Sequence, residues 1–221
     1  MSFDTLAPYY RGMESILAGQ KLHRCRTAFL DNIPVARNIL LMGEGHGRGL
    51  VECRRRFPSA RIICVDASAR MLDQARRNLA RHKLTADCIE FVHADVLQWS
   101  PPAAAYDLIV TNFFLDCFRA EQVAQIITRL ATAATSEANW LLADFQVPHA
   151  GWKRLRSRLI IGSLYTFFRA MTRLPAEQLT PPAPFLEHAG FTLQRRTETE
   201  WGLLHSDWWK RSQSRSDNGR N

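Results

Sequence analysis

The sequence predicts an α/β fold: an open, mainly parallel sheet of seven strands flanked by helices, with an antiparallel hairpin at its end. Five short aliphatic runs recur, at Asn38–Met42, Arg61–Val65, Cys88–His93, Tyr106–Thr111 and Asn139–Phe145. Strands covered by helices on both faces read as such continuous runs. Helical patterns stand between the runs, which makes the chain a succession of βαβ units. Beyond the fifth run, Phe191–Glu198 and Trp201–His205 are joined by a short connection that suits an antiparallel pair, with the Trp201–Trp209 stretch closing the far end of the sheet.

Taken in order, Thr5–Ala18 and Lys21–Asp31 read as helices ahead of the first strand. Gly49–Phe57, Ala69–Arg81 and Glu121–Ala131 have the length and spacing of amphipathic helices, and the second sets Met71, Ala75 and Leu79 along one side. In Gly151–Leu174, apolar residues from Trp152 to Leu174 form a helical stripe. Lys153, Arg154, Arg156, Arg158, Arg169 and Arg173 add positive charge there with no acid among them. A chain of 221 residues fits one domain. We expect it over 1–210, with a helical cap over 1–35, a cap or lid helix over 151–175 and a flexible polar tail over 211–221.

Apolar residues at 46% and charged residues at 23% exclude a disordered chain. The net charge of +8 admits anionic partners: nucleic acid, a membrane surface or phosphorylated metabolites. Cys25, Cys53, Cys64, Cys88 and Cys117 are odd in number and form no Cys-x-x-Cys pair. That argues against a disulfide framework or a metal site and favours a reduced compartment. Met1–Tyr10 shows no basic region followed by an apolar run, and Leu159–Phe168 is half of the roughly 20 residues a bilayer span requires. The expected location is cytoplasmic.

The most informative stretch is Leu40-Leu41-Met42-Gly43-Glu44-Gly45-His46-Gly47-Arg48-Gly49, a strand entering a glycine-rich turn and then a helix. Glycines at such a junction permit positive φ and close ligand approach. Counted from Gly43, the last glycine of a G-x-G-x-x-G fingerprint is replaced by Arg48, and a Gly-Lys-Ser/Thr phosphate loop is absent. About 20 residues on, the second strand runs into Asp66, placed to accept hydrogen bonds from ribose hydroxyls.

From Leu40 to Phe145 the chain resembles class I S-adenosylmethionine-dependent methyltransferases, whose fold is Rossmann-like. The resemblance implies S-adenosylmethionine as cofactor and S-adenosylhomocysteine as product. It places Gly43, Gly45 and Gly47 beneath the methionine and ribose portions and Asp66, followed by Ala67, on the ribose. Met71 matches the residue packed on adenine, Asp95 with Val96 the acid that meets the adenine amino group, and Asn112 a position near the sulfonium. The family often has an acid two residues before the first glycine, where this chain has Leu41, which shifts affinity toward Glu44, backbone groups and Asn112.

The amino-terminal Leu6-Ala7-Pro8-Tyr9-Tyr10-Arg11 resembles the entry of ubiquinone- and menaquinone-biosynthesis methyltransferases and of related lipid and small-molecule enzymes. There an early tyrosine closes over the cofactor, which makes Tyr10 a candidate for both cofactor contact and catalysis. Asp116 and His149 are the candidate bases, needed only if the acceptor must lose a proton. The implied function is methyl transfer to a small, hydrophobic, lipid- or quinone-like acceptor, with peripheral contact to anionic membrane through the basic segment. The alternatives are an RNA or protein methyltransferase docking through that segment and a non-catalytic cofactor-binding scaffold. Thr111-Asn112-Phe113-Phe114 lacks the Asn/Asp-Pro-Pro-Tyr type of motif, and no nucleic-acid recognition module is visible, which disfavours nucleic acid.

Overall fold

The computed structural model describes residues 19–148, 152, 157 and 179–212. Tyr10, His149, the predicted helix Thr5–Ala18 and most of Gly151–Leu174 lie outside the described residues.

The chain enters through helix α1 (Gly19–Thr27) and reaches β1 (Asn38–Met42). There follow α2 (Arg48–Arg56), β2 (Arg61–Asp66), α3 (Ala69–Arg81), β3 (Ile89–His93) and β4 (Tyr106–Asn112). The second half adds α4 (Ala120–Ala133), β5 (Ala134–Phe145), α5 (Ala183–His188), β6 (Phe191–Thr199) and β7 (Leu204–Arg211). The seven strands form one sheet in the order β3-β2-β1-β4-β5-β7-β6. Strands β1 to β5 pair in parallel, whereas β7 runs antiparallel to both β5 and β6.

Each face of the sheet carries its own core. On one, β1 and β2 contribute Leu40, Met42, Ile63 and Val65 beneath Val123, Ile126, Ile127 and Leu130 of α4. Those α4 residues recur at three- and four-residue spacing, which puts them on one side of the helix. On the other face Ile39, Leu41, Ile62 and Cys64 meet Leu50 of α2 and Leu72, Ala75 and Leu79 of α3. Trp140 and Trp209, fully buried and opposite one another across the β5–β7 pair, extend the first core toward the hairpin. Trp140 Nε1 donates to Thr111 Oγ1 at 2.9 Å, which satisfies the polar end of the ring.

Several boundaries differ from expectation. The predicted helix Lys21–Asp31 is α1 followed by a separate 3-10 turn at Leu30–Asn32, because Phe29 leaves helical geometry at φ −120° and Phe29 and Leu30 turn into the core. The second hairpin strand begins at Leu204, not Trp201: Glu200, Trp201 and Gly202 have φ of 53°, 58° and 84° and make the turn. The strand containing Trp209 also lies inside the sheet, and β6 forms the far edge. Arg211, expected in the tail, is the last residue of β7, and its Nη1 donates to Ala134 O at 3.0 Å. Helix α5 and the early start of β5 at Ala134 had no counterpart in the sequence reading. Among the described residues no helix is long and apolar enough to cross a membrane.

Candidate functional site

The carboxyl ends of β1, β2 and β4 lie side by side because these neighbours run the same way. That edge is where open α/β sheets bind ligands. The loop after β1 is fastened there at once, since the Gly43 N–H donates to Val65 O at 2.9 Å. Gly43, Gly45 and Gly47 adopt left-handed backbone, with φ of 61°, 59° and 73°. Their surroundings differ. A Cβ at Gly43 falls 2.1 Å from Phe114 Cδ2, and one at Gly47 falls 2.7 Å from Ala75 Cα. The chain's own packing therefore requires glycine at both. At Gly45 the nearest atom is Met71 Sδ at 4.0 Å, which leaves an open backbone face beside that side chain.

Asp66 holds this arrangement together. Its Oδ2 accepts the Gly45 N–H at 3.1 Å and its Oδ1 the Ser68 N–H at 2.9 Å, so one carboxylate links the glycine loop to the β2–α3 turn. An ionised carboxylate offers about four acceptor positions, enough to hold the loop and also receive hydroxyls. Ser68 caps α3 by accepting the Met71 N–H at 3.2 Å, which fixes Met71 in the first helical turn. Half-buried Ala67 places its carbonyl 3.1 Å from His93 Nε2, tying the turn to the end of β3. Asp95 is exposed and its Oδ1 accepts the Leu97 N–H at 3.0 Å, while Val96 beside it is buried in the α4-side core.

Glu44 is buried, and its carboxylate turns back to accept the Gly49 N–H. It thereby caps the amino terminus of α2, whose cap residue Gly47 has no side chain to do so. Leu41, standing where the resembled family often has an acid, is fully buried against the α2 and α3 side. Asn112, the last residue of β4, is 5% exposed, and its Oδ1 has no hydrogen-bond partner among the described residues. A buried amide oxygen left without a donor costs about 1–3 kcal/mol, which points to a ligand that supplies one.

Beyond Asn112 the chain turns through Phe113, at φ 52°, into a 3-10 turn, Leu115–Cys117, that carries Asp116. Burial pushes the Asp116 carboxyl up to about 6, against the lowering effect of hydrogen bonds from Cys117 and the backbone. Asp144, at the end of β5, is 2% exposed, and its Oδ1 accepts the Phe145 N–H at 2.8 Å. Its carboxyl also accepts the backbone N–H of Asp116, and burial together with the Asp116 charge raises it well above the usual range. Asp144 was missed in the sequence; an acid inside the apolar run Leu141-Leu142-Ala143-Asp144 was the available signal. Cys117 Sγ lies 3.5 Å from Asp116 Oδ1, and burial and these acids push its thiol up, which keeps it protonated.

Across the β5–β7 pair Asp144 faces His205. The next inward residue, Asp207, takes Arg196 Nε and Nη2 at 2.6 Å each and stands 3.2 Å from His205 Nδ1. Burial works against the Asp207 charge, but the hydrogen bonds and charges of Arg196 and His205 win and hold it below the ordinary value. On the other face Ser206 Oγ donates to Cys25 O at 2.7 Å, docking α1 onto β7. Among the described residues no group of His, Cys, Asp and Glu could hold a metal ion.

This strand order, with its glycine loop and row of polar strand ends, defines an α/β sheet of the type that binds a nucleoside-bearing cofactor at its carboxyl edge. Residues 39–136 match the family model for a methyltransferase domain. A trans-aconitate 2-methyltransferase of Paracidovorax citrulli is 36% identical over 86 residues, 38% of this chain and 30% of that protein. A ribosomal RNA large subunit methyltransferase G of Shewanella amazonensis is 28% identical over 102 residues, 45% of this chain and 27% of that protein. The chain thus spans less than a third of the length of these relatives. Among solved structures, an O-methyltransferase family 2 protein of Planctomyces limnophilus superposes with a TM-score of 0.71 at 16% identity, covering 93% of this chain and 62% of that one. The open backbone at Gly45, the Asp66 carboxylate and the unpartnered Asn112 oxygen fit such a cofactor.

Proposed function

We propose that the chain transfers a methyl group from S-adenosylmethionine to a small, hydrophobic acceptor of lipid or quinone type. The observation that carries this reading is the run of complementary groups along one sheet edge: open backbone at Gly45, acceptor oxygens at Asp66 and an orphaned amide oxygen at Asn112. When bound, the cofactor supplies a methyl group already activated on a sulfonium. The protein's part is then to place the acceptor in line and exclude water, and orientation alone contributes about 7–11 kcal/mol in favourable cases. We assign Asp66 to the ribose hydroxyls, and Met71, Ala67, Asp95 and Val96 to the adenine end. Gly45 serves close backbone approach, Gly43, Gly47 and Glu44 shape the loop, and Asn112 Oδ1 receives a donor.

The hydrophobic acceptor is supported by the β6–β7 connection, which lies at the same sheet edge because Leu204 is opposite Phe145. There Trp152 and Trp201 expose two rings 6.3 Å apart. The trans-aconitate relative, by its name, acts on a small molecule, which supports the size of the acceptor and not its hydrophobic character. Tyr10, His149 and the lid 151–175, together with membrane contact and cytoplasmic location, complete the proposal. Methyl-labelled cofactor incubated with the protein and a cell extract, then partitioned, tests it. Label in the organic phase is expected. Label in macromolecules would transfer the reading to RNA or protein, and tight S-adenosylhomocysteine binding without any labelled product would favour a non-catalytic scaffold.

A further inference from the structure

The acceptor side of the edge contains two neighbouring carboxyl groups. Asp116 follows β4 and Asp144 ends β5, and the two segments are bound together: the Phe113 N–H donates to Ala143 O at 2.7 Å, and the Asp116 N–H donates to the Asp144 carboxyl. Asp144 is nine-tenths buried and takes a second backbone donor from Phe145. The groups around it are Asp116 and Cys117 on the 3-10 turn, Cys25 on α1, His205 and Asp207 on β7, and Arg196 on β6, which is engaged with Asp207. Among the described residues, the charges that raise Asp144 are those of the acids Asp116 and Asp207. Asn112, whose buried Oδ1 has no donor among the described residues and is assigned to the cofactor, stands four residues before Asp116, on the strand position paired with Ala143 next to Asp144, which sets the carboxyl pair beside the cofactor site.

We infer that Asp116 takes the proton of the methyl acceptor, that Asp144 is the positioning residue that holds Asp116 for this task, and that the acceptor is therefore a hydroxyl or amine compound and not a carboxylate. The inference rests on the methyl-transfer reading. The acceptor's O–H or N–H proton passes to an Asp116 Oδ while the acceptor's oxygen or nitrogen bonds to the methyl carbon. The former carbon–sulfur electron pair remains on sulfur, and the proton later leaves Asp116 for solvent. Two features of the site favour a neutral, proton-bearing acceptor. A carboxylate acceptor meets like charge from Asp116 and has no proton for it to take, whereas a neutral O–H or N–H meets no such repulsion and presents the proton that Asp116 accepts. Asp144, 2% exposed and holding the backbone N–H groups of Phe145 and Asp116 on its carboxyl, is engaged in positioning the turn, which leaves Asp116, raised by burial to about 6, as the group with an affinity for protons suited to general base work.

Carboxyl carbon NMR titration of the ligand-free protein tests the pair without any acceptor. Asp116→Asn should lower the Asp144 midpoint, which the Asp116 charge helps to raise, and Asp144→Ala, which empties the space beside Asp116 and admits water, should lower the Asp116 midpoint from about 6, with Asp144→Asn, which refills that space, restoring it. Carboxyl groups that titrate independently overturn the inference. On turnover in extract, Asp116→Asn should cost about 10²–10⁴-fold. Asp144→Ala should cost about 10–100-fold with most of the loss recovered in Asp144→Asn, while all three still bind S-adenosylhomocysteine. The labelled product is then treated with mild alkali: an ether or methylamine survives, as expected, whereas release of labelled methanol reveals a methyl ester and overturns the inference. Absence of any labelled product counts against methyl transfer itself, and the titration still decides whether Asp116 and Asp144 act together.

Discussion

The glycine loop separates two kinds of constraint that the sequence shows as one motif, and paired substitutions resolve them. In Gly47→Ala the new methyl group meets Ala75 Cα and Cβ at 2.7 Å. These are helix atoms with no flexible end to swing away. Two costs add: about 1–2 kcal/mol for an L-residue at a φ of 73°, and about 1–3 kcal/mol for overpacking. The expected loss is therefore about 2–5 kcal/mol, a fall in Tm of roughly 4–20 °C for a domain of this size. In Gly45→Ala only the backbone cost of about 1–2 kcal/mol applies, because the methyl group faces open space with Met71 Sδ at 4.0 Å. That methyl group occupies the face assigned to the cofactor, so binding of S-adenosylhomocysteine should weaken at least about tenfold, or 1.4 kcal/mol. Urea unfolding and calorimetric titration on both variants make the comparison. Equal stabilities, or undiminished affinity in Gly45→Ala, would falsify the division of the loop into packing and ligand-facing glycines.

Further outcomes follow from the polar strand ends. Asp66→Ala should weaken cofactor binding substantially while leaving the fold intact, since Asp66 is half-buried and its structural bonds are to two backbone N–H groups; calorimetry that finds unchanged affinity removes the ribose assignment. Asp116 binds its proton more tightly when folded, at about 6 against an ordinary 3.8. The stability linked to that proton is thus fully present below about pH 4 and lost as pH rises through about 6. Urea midpoints measured against pH should lose this component in Asp116→Asn, and identical profiles for the two proteins would refute the assignment. Asp207→Ala strips Arg196, whose side chain is 34% exposed, of both its 2.6 Å bonds. Because water can solvate the guanidinium left behind, the expected loss is about 1–2 kcal/mol, and thermal unfolding that shows no loss would refute the role given to this network. Because folding holds Asp207 below its ordinary value, its contribution is present above the ordinary carboxylate range and disappears as pH falls through the folded value.

The sequence alone determined the βαβ succession, the placement of the glycine loop at a strand-to-helix junction, and the row of Asp66, Asp95 and Asn112 at strand ends. Those features depend on local patterning: continuous aliphatic runs for doubly covered strands, three- and four-residue spacing for helices, and turn residues between them. Helix α3 appeared with its observed limits because Ser68 caps it and its buried residues repeat along one face. The hairpin was legible as a pair but not in its register, since Trp201 reads as a strand residue until the left-handed backbone at Glu200 and Trp201 puts it in the turn. What only the tertiary structure decided is which residues meet across the chain. Phe114 lies on Gly43, Ala75 on Gly47 and Asp144 beside Asp116, across separations from 28 to 71 residues. No local pattern encodes such contacts, because they arise from the order of the strands and from burial shared between distant segments. The environment that distinguishes the Asp116–Asp144 pair from two ordinary aspartates is likewise a property of the assembled edge.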